Sequence, residues 1–328
     1  MILSIESSCD DSSIAITEID TKALLFHRKI SQESEHAKYG GVVPELASRL
    51  HAVDLPKLLE EAKPWLDDLK AVAVTNEPGL SVTLLEGVAM AQALSIAKGV
   101  PIIPVNHLKA HIYSLFIERE AIFPMLVLLI SGGHTMVIDV ESFERMEVVA
   151  STMDDSFGES FDKTAKMMGL GYPGGPIVER LAAKGDPTRF RMPVPLRHSP
   201  KIAFSYSGIK NAVRLLVESH SPLDERSRAD IAAAFQKAAI EHLLQKCGKI
   251  FRERRPKDFA IVGGASANMA VREAFANLCG RFDATLHLAD LRYCSDNAAM
   301  VGRYALDAYE RQLFCDALTI RVSPRSEL

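Results

Sequence analysis

His107 and His111 stand four residues apart in VNHLKAH, directly after a segment with strand character. On an α-helix, positions i and i+4 share a face, and both rings can reach one metal ion. The helical zinc-protease pair needs a glutamate directly after its first histidine as general base. Here Leu108 and Lys109 follow, so that chemistry is excluded. Two imidazoles need a carboxylate to complete a facial set that leaves positions open for substrate. Asp296, in YCSDNAAMVGRYAL, is the candidate by context, although its ordinary reading is the N-cap of the following helix. Lone histidines, too, more often belong to a core or a surface than to a metal.

Other stretches carry polar groups on tight turns. LISGGHT (129–135) joins two apolar runs through Ser-Gly-Gly, where Gly132 and Gly133 allow close backbone approach to a phosphate and Ser131 and His134 add donors. Alone it reads as a hairpin turn. SSCDDSS (7–13) is its counterpart, and Asp10 and Asp11 there would repel a phosphate, suiting a metal, a water or an attacking group, or an Asx-type turn. In GGASANMAVREAF, Asn268 either caps a helix or hydrogen-bonds an adenine or ribose edge. FGESFDKTAKMMG places Asp162 and Lys163 at the start of a helix, where an aspartate favours the dipole.

The elements that would hold these residues repeat. LSIESSCDDSSIAITEI and VLLISGGHTMVIDV are each strand, polar turn, strand, followed by a third apolar run, ALLFHRKI or RMEVVAS. AVAVTNEPGLSVTLLEGVAMAQAL and FAIVGGASANMAVREAFANL are each strand, Gly-containing turn, helix. Such alternation predicts an α/β fold with a mostly parallel, helix-covered sheet in each half. Turn amides and helix N-termini suit phosphate, so a nucleotide cleft between two lobes is expected; an unrelated two-domain α/β enzyme is the alternative. Residues 155–255 read as mainly helical, with the proline-containing RFRMPVPLRHSPK (189–201) as a loop.

Composition narrows the class. At 328 residues, 48% hydrophobic and 24% charged, the chain can bury two cores and is neither disordered nor fibrous. Acidic residues interrupt MILSIESSCDD where a signal peptide needs an apolar core, and MLVLLI (125–130) is too short to span a bilayer. Five cysteines without a CxxC pair suit reduced thiols of the cytosol. The expectation is a cytoplasmic protein without a membrane segment. A net charge of −4 is unlike a protein that grips RNA unaided. Nucleic-acid binding would therefore need a local basic patch or partner proteins, and RFRMPVPLRH (189–198) and FRERRPK (251–257) are candidate patches.

In order along the chain, IESSCDDSSIAI, HAKYGGVVPELASRLH, VNHLKAH, LISGGHT, FGESFDKTAKMMGLGYPGGP, FSYSGIKNA, GGASAN and CSDNAAM resemble the tRNA N6-adenosine threonylcarbamoyltransferase family. The likeness runs from residue 1 to about 303 and is specific jointly rather than motif by motif. It implies a two-lobed actin-like ATPase (ASKHA) fold, shared with Hsp70 nucleotide-binding domains and sugar kinases. The lobes would cover 1–122 and 123–328, the second carrying the helical insertion at about 155–255.

The same resemblance implies one divalent metal per subunit, iron or zinc, on His107, His111 and Asp296. It places Ile130, Ser131, Gly132, Gly133 and His134 along the nucleotide phosphates, and Asp162, Gly175 and Asn268 on the ribose and adenine side. Glu179 matches a position where some members set an acid on the ribose. The implied reaction moves threonylcarbamoyl from threonylcarbamoyl-AMP to N6 of adenosine 37, in tRNAs reading codons that begin with A, and releases AMP; ATP or ADP are further nucleotides for the site. Asp10 or Asp11 would order the amine or accept its proton. Implied partners are tRNA, a related paralogue lacking the metal site, a small ATPase, and an upstream threonylcarbamoyl-adenylate synthase. NEPGL departs from the family's Gly-Pro-Gly by placing Glu77 first, so that turn carries no site expectation. A small-molecule kinase on the same fold is the competing enzyme, and a nucleotide-gated Hsp70-like scaffold the non-catalytic alternative.

Overall fold

A computed structural model describes residues 1–328 except His198 and Glu327. The chain divides into two compact units, Met1–Ile122 with Ala289–Leu328, and Phe123–Leu288.

The first unit contains strands β1 (Ile2–Glu6), β2 (Asp11–Thr17) and β3 (Leu24–Ser31), helices α1 (Glu33–Ala37) and α2 (Pro44–Glu61), β4 (Ala71–Glu77), α3 (Ser81–Lys98), β5 (Ile102–Asn106) and α4 (His107–Tyr113). Its sheet order is β3-β2-β1-β4-β5. β1–β3 form an antiparallel meander, while β1, β4 and β5 run parallel. Every residue of ILSIE is buried, as expected for a central strand covered on both faces. Pro44 occupies the first turn of α2, where a missing N–H is harmless, and α3 ends at Gly99 in the left-handed conformation (φ 64°).

The second unit follows the same plan with β6 (Met125–Ile130), β7 (Thr135–Val140), β8 (Met146–Ser151), α5 (Phe157–Met167), α6 (Gly174–Ala182), α7 (Ser207–Ser219), α8 (Glu225–Arg254), β9 (Asp258–Val262), α9 (Met269–Arg281) and β10 (Thr285–Leu288). Its order, β10-β9-β6-β7-β8, repeats the first unit strand for strand. The helical insertion is α5–α8, and the segment 189–201 is irregular; His198 lies outside the described residues.

The final helix corrects the expected division of the chain. α10 (Ala298–Glu310) packs on β1 and β2 rather than on the second sheet, so 289–328 joins the first unit. Its face of Ala298, Ala299, Val301 and Ala305 is fully or almost fully buried, and the Ala298 N–H donates to Ser13 Oγ at 3.0 Å.

His242 on α8 gives the second unit a dependence on pH. Its Nε2 accepts the Ser205 N–H at 3.0 Å, so this nitrogen is unprotonated. Burial, then the nearby Lys246, pushes its pKa down to about 4. An unfolded chain takes up this proton near pH 6.5 while the folded chain resists until about pH 4, so stability is lost as pH falls across that window. The loss amounts to about 3 kcal/mol over the whole interval. Denaturant melts at pH 7 and 4.5 should show wild type losing more than His242→Gln, whose amide can still accept the Ser205 N–H; equal losses would contradict this assignment.

Candidate functional site

β5 ends at Asn106, whose side chain accepts the N–H groups of Leu108 and Lys109 at 2.9 and 3.2 Å. This cap starts α4 directly at His107 and sets His107 and His111 on one face, with ring centroids 4.6 Å apart. Asp296 precedes α10 and faces the pair. Its Oδ1 lies 3.4 Å from His107 Nε2 and 3.1 Å from His111 Nε2. The ordinary reading of Asp296 does not hold: Asn297 is the N-cap, accepting the Met300 N–H at 2.9 Å, and this leaves Asp296 for the histidines.

The three side chains present one donor atom each, all within 4.8 Å of one another. His111 is fully buried, yet neither ring nitrogen has a hydrogen-bond partner among the described residues. Although Asp296 Oδ1 is 3.1 Å from Nε2, it lies out of line for a hydrogen bond. A buried imidazole left unsatisfied costs about 1–3 kcal/mol. Two ring nitrogens and a carboxylate oxygen converging within ligand reach of one another is the arrangement of a donor set for a cation, and nitrogen–nitrogen–oxygen donors suit zinc or iron.

Glu6, the last residue of β1, has no exposed surface, and its role was not visible in the sequence. Its Oε1 accepts the Ser8 N–H at 2.7 Å, and Oε2 accepts the Thr75 hydroxyl at 2.6 Å. Oε2 also lies 3.1 Å from His107 Nδ1, with Ser8 Oγ at 3.2 Å from the same nitrogen. A proton on Nδ1, shared toward Glu6, leaves Nε2 to face Asp296, the carboxylate–histidine arrangement usual behind metal ligands. Burial opposes charge on all three groups, but their attraction prevails. His107 is raised well above its ordinary pKa by Asp296 and Glu6, while Glu6 and Asp296 are lowered, chiefly by His107. His111 is lowered, by burial first and then by His107.

Asp10 and Asp11 sit in the turn between β1 and β2. Asp11 accepts from Lys29 Nζ at 2.9 Å, and the same ammonium donates to Ser295 Oγ, next to Asp296. Burial raises Asp11 to about 6 despite Lys29; Asp10 is also raised by burial. The turn is fixed from behind by His51. Its Nε2–H donates to the Cys9 carbonyl at 2.9 Å, so Nδ1 accepts the Ser12 hydroxyl at 2.7 Å. The turn after β4 also packs here, for a Cβ on Gly79 would lie 2.8 Å from the Ser8 carbonyl oxygen.

In the second unit, Ile130 closes β6 and is buried. Ser131 N–H donates to the His134 carbonyl at 2.9 Å and Ser131 Oγ accepts the His134 N–H, forming the hairpin. The Ser131 carbonyl accepts the Gly158 N–H, and the Ser156 hydroxyl donates to the Gly132 carbonyl at 2.6 Å. Gly132 and Gly133 are exposed and their N–H groups have no partner among the described residues. A Cβ on Gly158 would stand 2.6 Å from the Ser131 carbonyl oxygen, so only glycine lets α5 approach the turn this closely.

Asp162 is not at a helix start. The capping box of Ser156 and Glu159 begins α5 at Phe157, which places Asp162 mid-helix, where Oδ1 accepts the Gly174 N–H at 2.7 Å and caps α6 instead. Gly175 lies in the first turn of α6 with open space around its missing Cβ. Glu179 accepts the Met269 N–H at 2.7 Å. Asn268 caps α9 through the Val271 N–H and donates to Gln236 Oε1. Asp162, Glu179 and Asn268 thus all perform the structural duty of holding helix starts.

The family model described as tRNA N6-adenosine threonylcarbamoyltransferase matches residues 23–303. The chain belongs to this family. It is 67% identical over 319 residues to the tRNA N6-adenosine threonylcarbamoyltransferase of a Sulfurovum species, covering 96% of this chain and 95% of that one. Against the same-named protein of a Nitratiruptor species it is 63% identical, with 99% of each chain covered. Among solved structures, full-length HypF in its phosphate- and nucleotide-bound form superposes with a TM-score of 0.63 at 13% identity, over 96% of this chain and 47% of that one. Component A of Acidaminococcus fermentans (R)-2-hydroxyglutaryl-CoA dehydratase gives 0.55 at 17% identity, over 94% and 98%. These likenesses show the actin-like ATPase fold. The family is one of transferases, and the small-molecule kinase alternative is not favoured by its members. No helix among the described residues is long and apolar enough to cross a membrane.

Proposed function

We propose that this chain transfers the threonylcarbamoyl group from threonylcarbamoyl-AMP to N6 of adenosine 37, in tRNAs reading codons that begin with A, with release of AMP. The observation that carries the reading is the convergence of His107, His111 and Asp296 in a chain of this family. Those three residues would hold one divalent iron or zinc ion, which when bound supplies Lewis acidity toward a carbonyl or phosphoryl oxygen. Glu6 keeps a proton on His107 Nδ1, so that Nε2 stays a donor atom.

In the second unit, the unpaired Gly132 and Gly133 amides are positioned as donors for nucleotide phosphate, with Ile130, Ser131 and His134 shaping the turn. Asp162, Gly175, Glu179 and Asn268 form the nucleoside side, the three polar ones by fixing the starts of α6 and α9. The adenine amine is a weak nucleophile, so positioning carries much of the rate. Asp11, raised to about 6, is unprotonated at neutral pH and suited to accept the proton the amine loses; Asp10, in the same turn and also raised by burial, is placed to order that amine. Transfer should therefore fall about tenfold per pH unit below about pH 6. Asp11→Asn should remove that limb, and an unaltered profile would dismiss Asp11 as the base.

The partners proposed are tRNA, a related paralogue without the metal site, a small ATPase, and the synthase that makes the adenylate, all in the cytoplasm. The deciding assay combines unmodified tRNA, threonine, bicarbonate, ATP, synthase and partners, with and without this chain. Threonylcarbamoyladenosine should form only when the chain is present, and should fail after chelation. A complete mixture without product would overturn the reading.

A further inference from the structure

The segments 189–201 and 245–257 contain ten lysines and arginines against one acid, Glu253, in a chain of net charge −4. The fold straps them together. Gln245 Nε2 donates to the Arg197 carbonyl at 2.8 Å, Lys246 Nζ to the Leu196 and Lys201 carbonyls at 3.0 and 2.9 Å, and Lys249 Nζ to the Ser199 carbonyl at 2.7 Å. Lys246 is fully buried, and the only acceptors it reaches among the described residues are neutral carbonyls. Burying an ammonium without a carboxylate is costly. Here that cost secures an irregular, proline-containing loop on α8, where a merely solvated basic loop would need no such anchor.

Beside the strap, α8 and α9 enclose a groove of about 430 Å³ whose charged lining is Lys249, Arg252 and Arg281, with no carboxylate among its lining residues. Arg252 and Arg281 are exposed and enter no ion pair among the described residues; the same holds for Arg191 on the loop. Three of the ten are opposed by acids outside the two segments: Arg189 pairs with Asp230 at 2.6 Å, Arg197 lies 3.5 Å from Glu241, and Arg254 is paired with Asp139, none of which lines the groove. The strapped loop continues toward the Ser-Gly-Gly turn: Lys201 Nζ donates to Met153 Sδ at 3.1 Å, and Ser156, three residues on, holds the Gly132 carbonyl.

We infer that this cationic face of the second unit, the strapped loop together with the α8–α9 groove, is a docking surface for the phosphate backbone of the tRNA substrate. The inference rests on the function proposed above. Arg191, Arg252 and Arg281, which no acid among the described residues opposes, resolve how an acidic chain engages a polyanion, and arginine's planar fork suits phosphate oxygens.

The test measures binding of an unmodified tRNA transcript to the full chain across a salt series. For Lys249→Gln/Arg252→Gln/Arg281→Gln, the dissociation constant at about 0.1 M salt should rise about tenfold or more, and the log–log salt slope should shrink by roughly two to three. Lys246→Met removes no exposed charge but releases the strap. It should weaken binding while making 189–201 sensitive to limited proteolysis. Lys63→Gln/Lys98→Gln, on the first unit, should change neither quantity. Wild type that binds no tRNA would sink this reading, whereas the proposed transfer is judged by the assay with the partner proteins present. Wild type that binds tRNA with a slope shared by the triple variant would sink this one alone, as would polyglutamate competing as well as RNA.

Discussion

His111→Ala should leave the purified chain with little bound metal and slow threonylcarbamoyl transfer by about 10³-fold, the several kcal/mol that a Lewis acid contributes. The expectation follows from what His111 does not do. It is fully buried, yet neither nitrogen bonds a neighbour among the described residues, so the fold gains no hydrogen bond from it. The sign of the stability effect should therefore depend on metal. In metal-free protein, His111→Leu removes buried polar atoms that no hydrogen bond satisfies and should stabilise by about 1–2 kcal/mol. In metal-loaded protein the same substitution removes a ligand and should destabilise. Thermal melts with and without chelator read both signs, and elemental analysis reads occupancy. A His111→Ala chain with full metal content and wild-type rates would show that the imidazole is merely core.

The two histidines were legible because helical spacing is local, and the duplicated strand-meander was legible because both copies keep the same alternation of apolar runs and turns. Residues brought together from afar were harder. Glu6 lies 101 residues from His107 and hides at the end of an apolar strand. The only signal was an acid in a position that burial should exclude, and it pointed to no partner. Asp296 and Asn297 are both good caps, and sequence alone could not say which would cap α10 and which would turn inward. The return of 289–328 to the first unit is a tertiary choice, made by the apolar face of α10 against β1 and β2, that no local pattern encodes. Asp162 was misplaced for a different reason. The Ser156–Glu159 capping box is a sequence signature, and reading it would have started α5 at Phe157, more than a full turn before Asp162.

Glu6→Gln should weaken metal binding by about 10–100-fold, with little change in melting temperature, because it alters which nitrogen of His107 carries the proton. The carboxylate accepts on both sides, from the Ser8 N–H at one oxygen and from Thr75 and His107 at the other. A carboxamide has one acceptor and one donor end. With its NH₂ toward Ser8, two donors confront each other and the backbone N–H cannot adapt, costing about 1–3 kcal/mol. The favoured orientation turns the NH₂ toward Thr75 and His107. The Thr75 hydroxyl can rotate to accept, but His107 Nδ1 can accept only if its proton moves to Nε2. That proton then occupies the nitrogen that faces Asp296, and ligation must displace it. Wild type already has a proton to lose, since His107 is raised well above its ordinary pKa by Asp296 and Glu6 against the opposing effect of burial. Its metal affinity should accordingly climb with pH, up to about tenfold per unit, until the raised pKa is passed. Removing the Glu6 charge lowers that pKa, so the climb in Glu6→Gln should level off at lower pH and at a weaker final affinity. Chelator-competition titrations from about pH 6 to 9 read both the displacement along the pH axis and the plateau. Superimposable curves would mean that Glu6 neither orients His107 nor sets its charge.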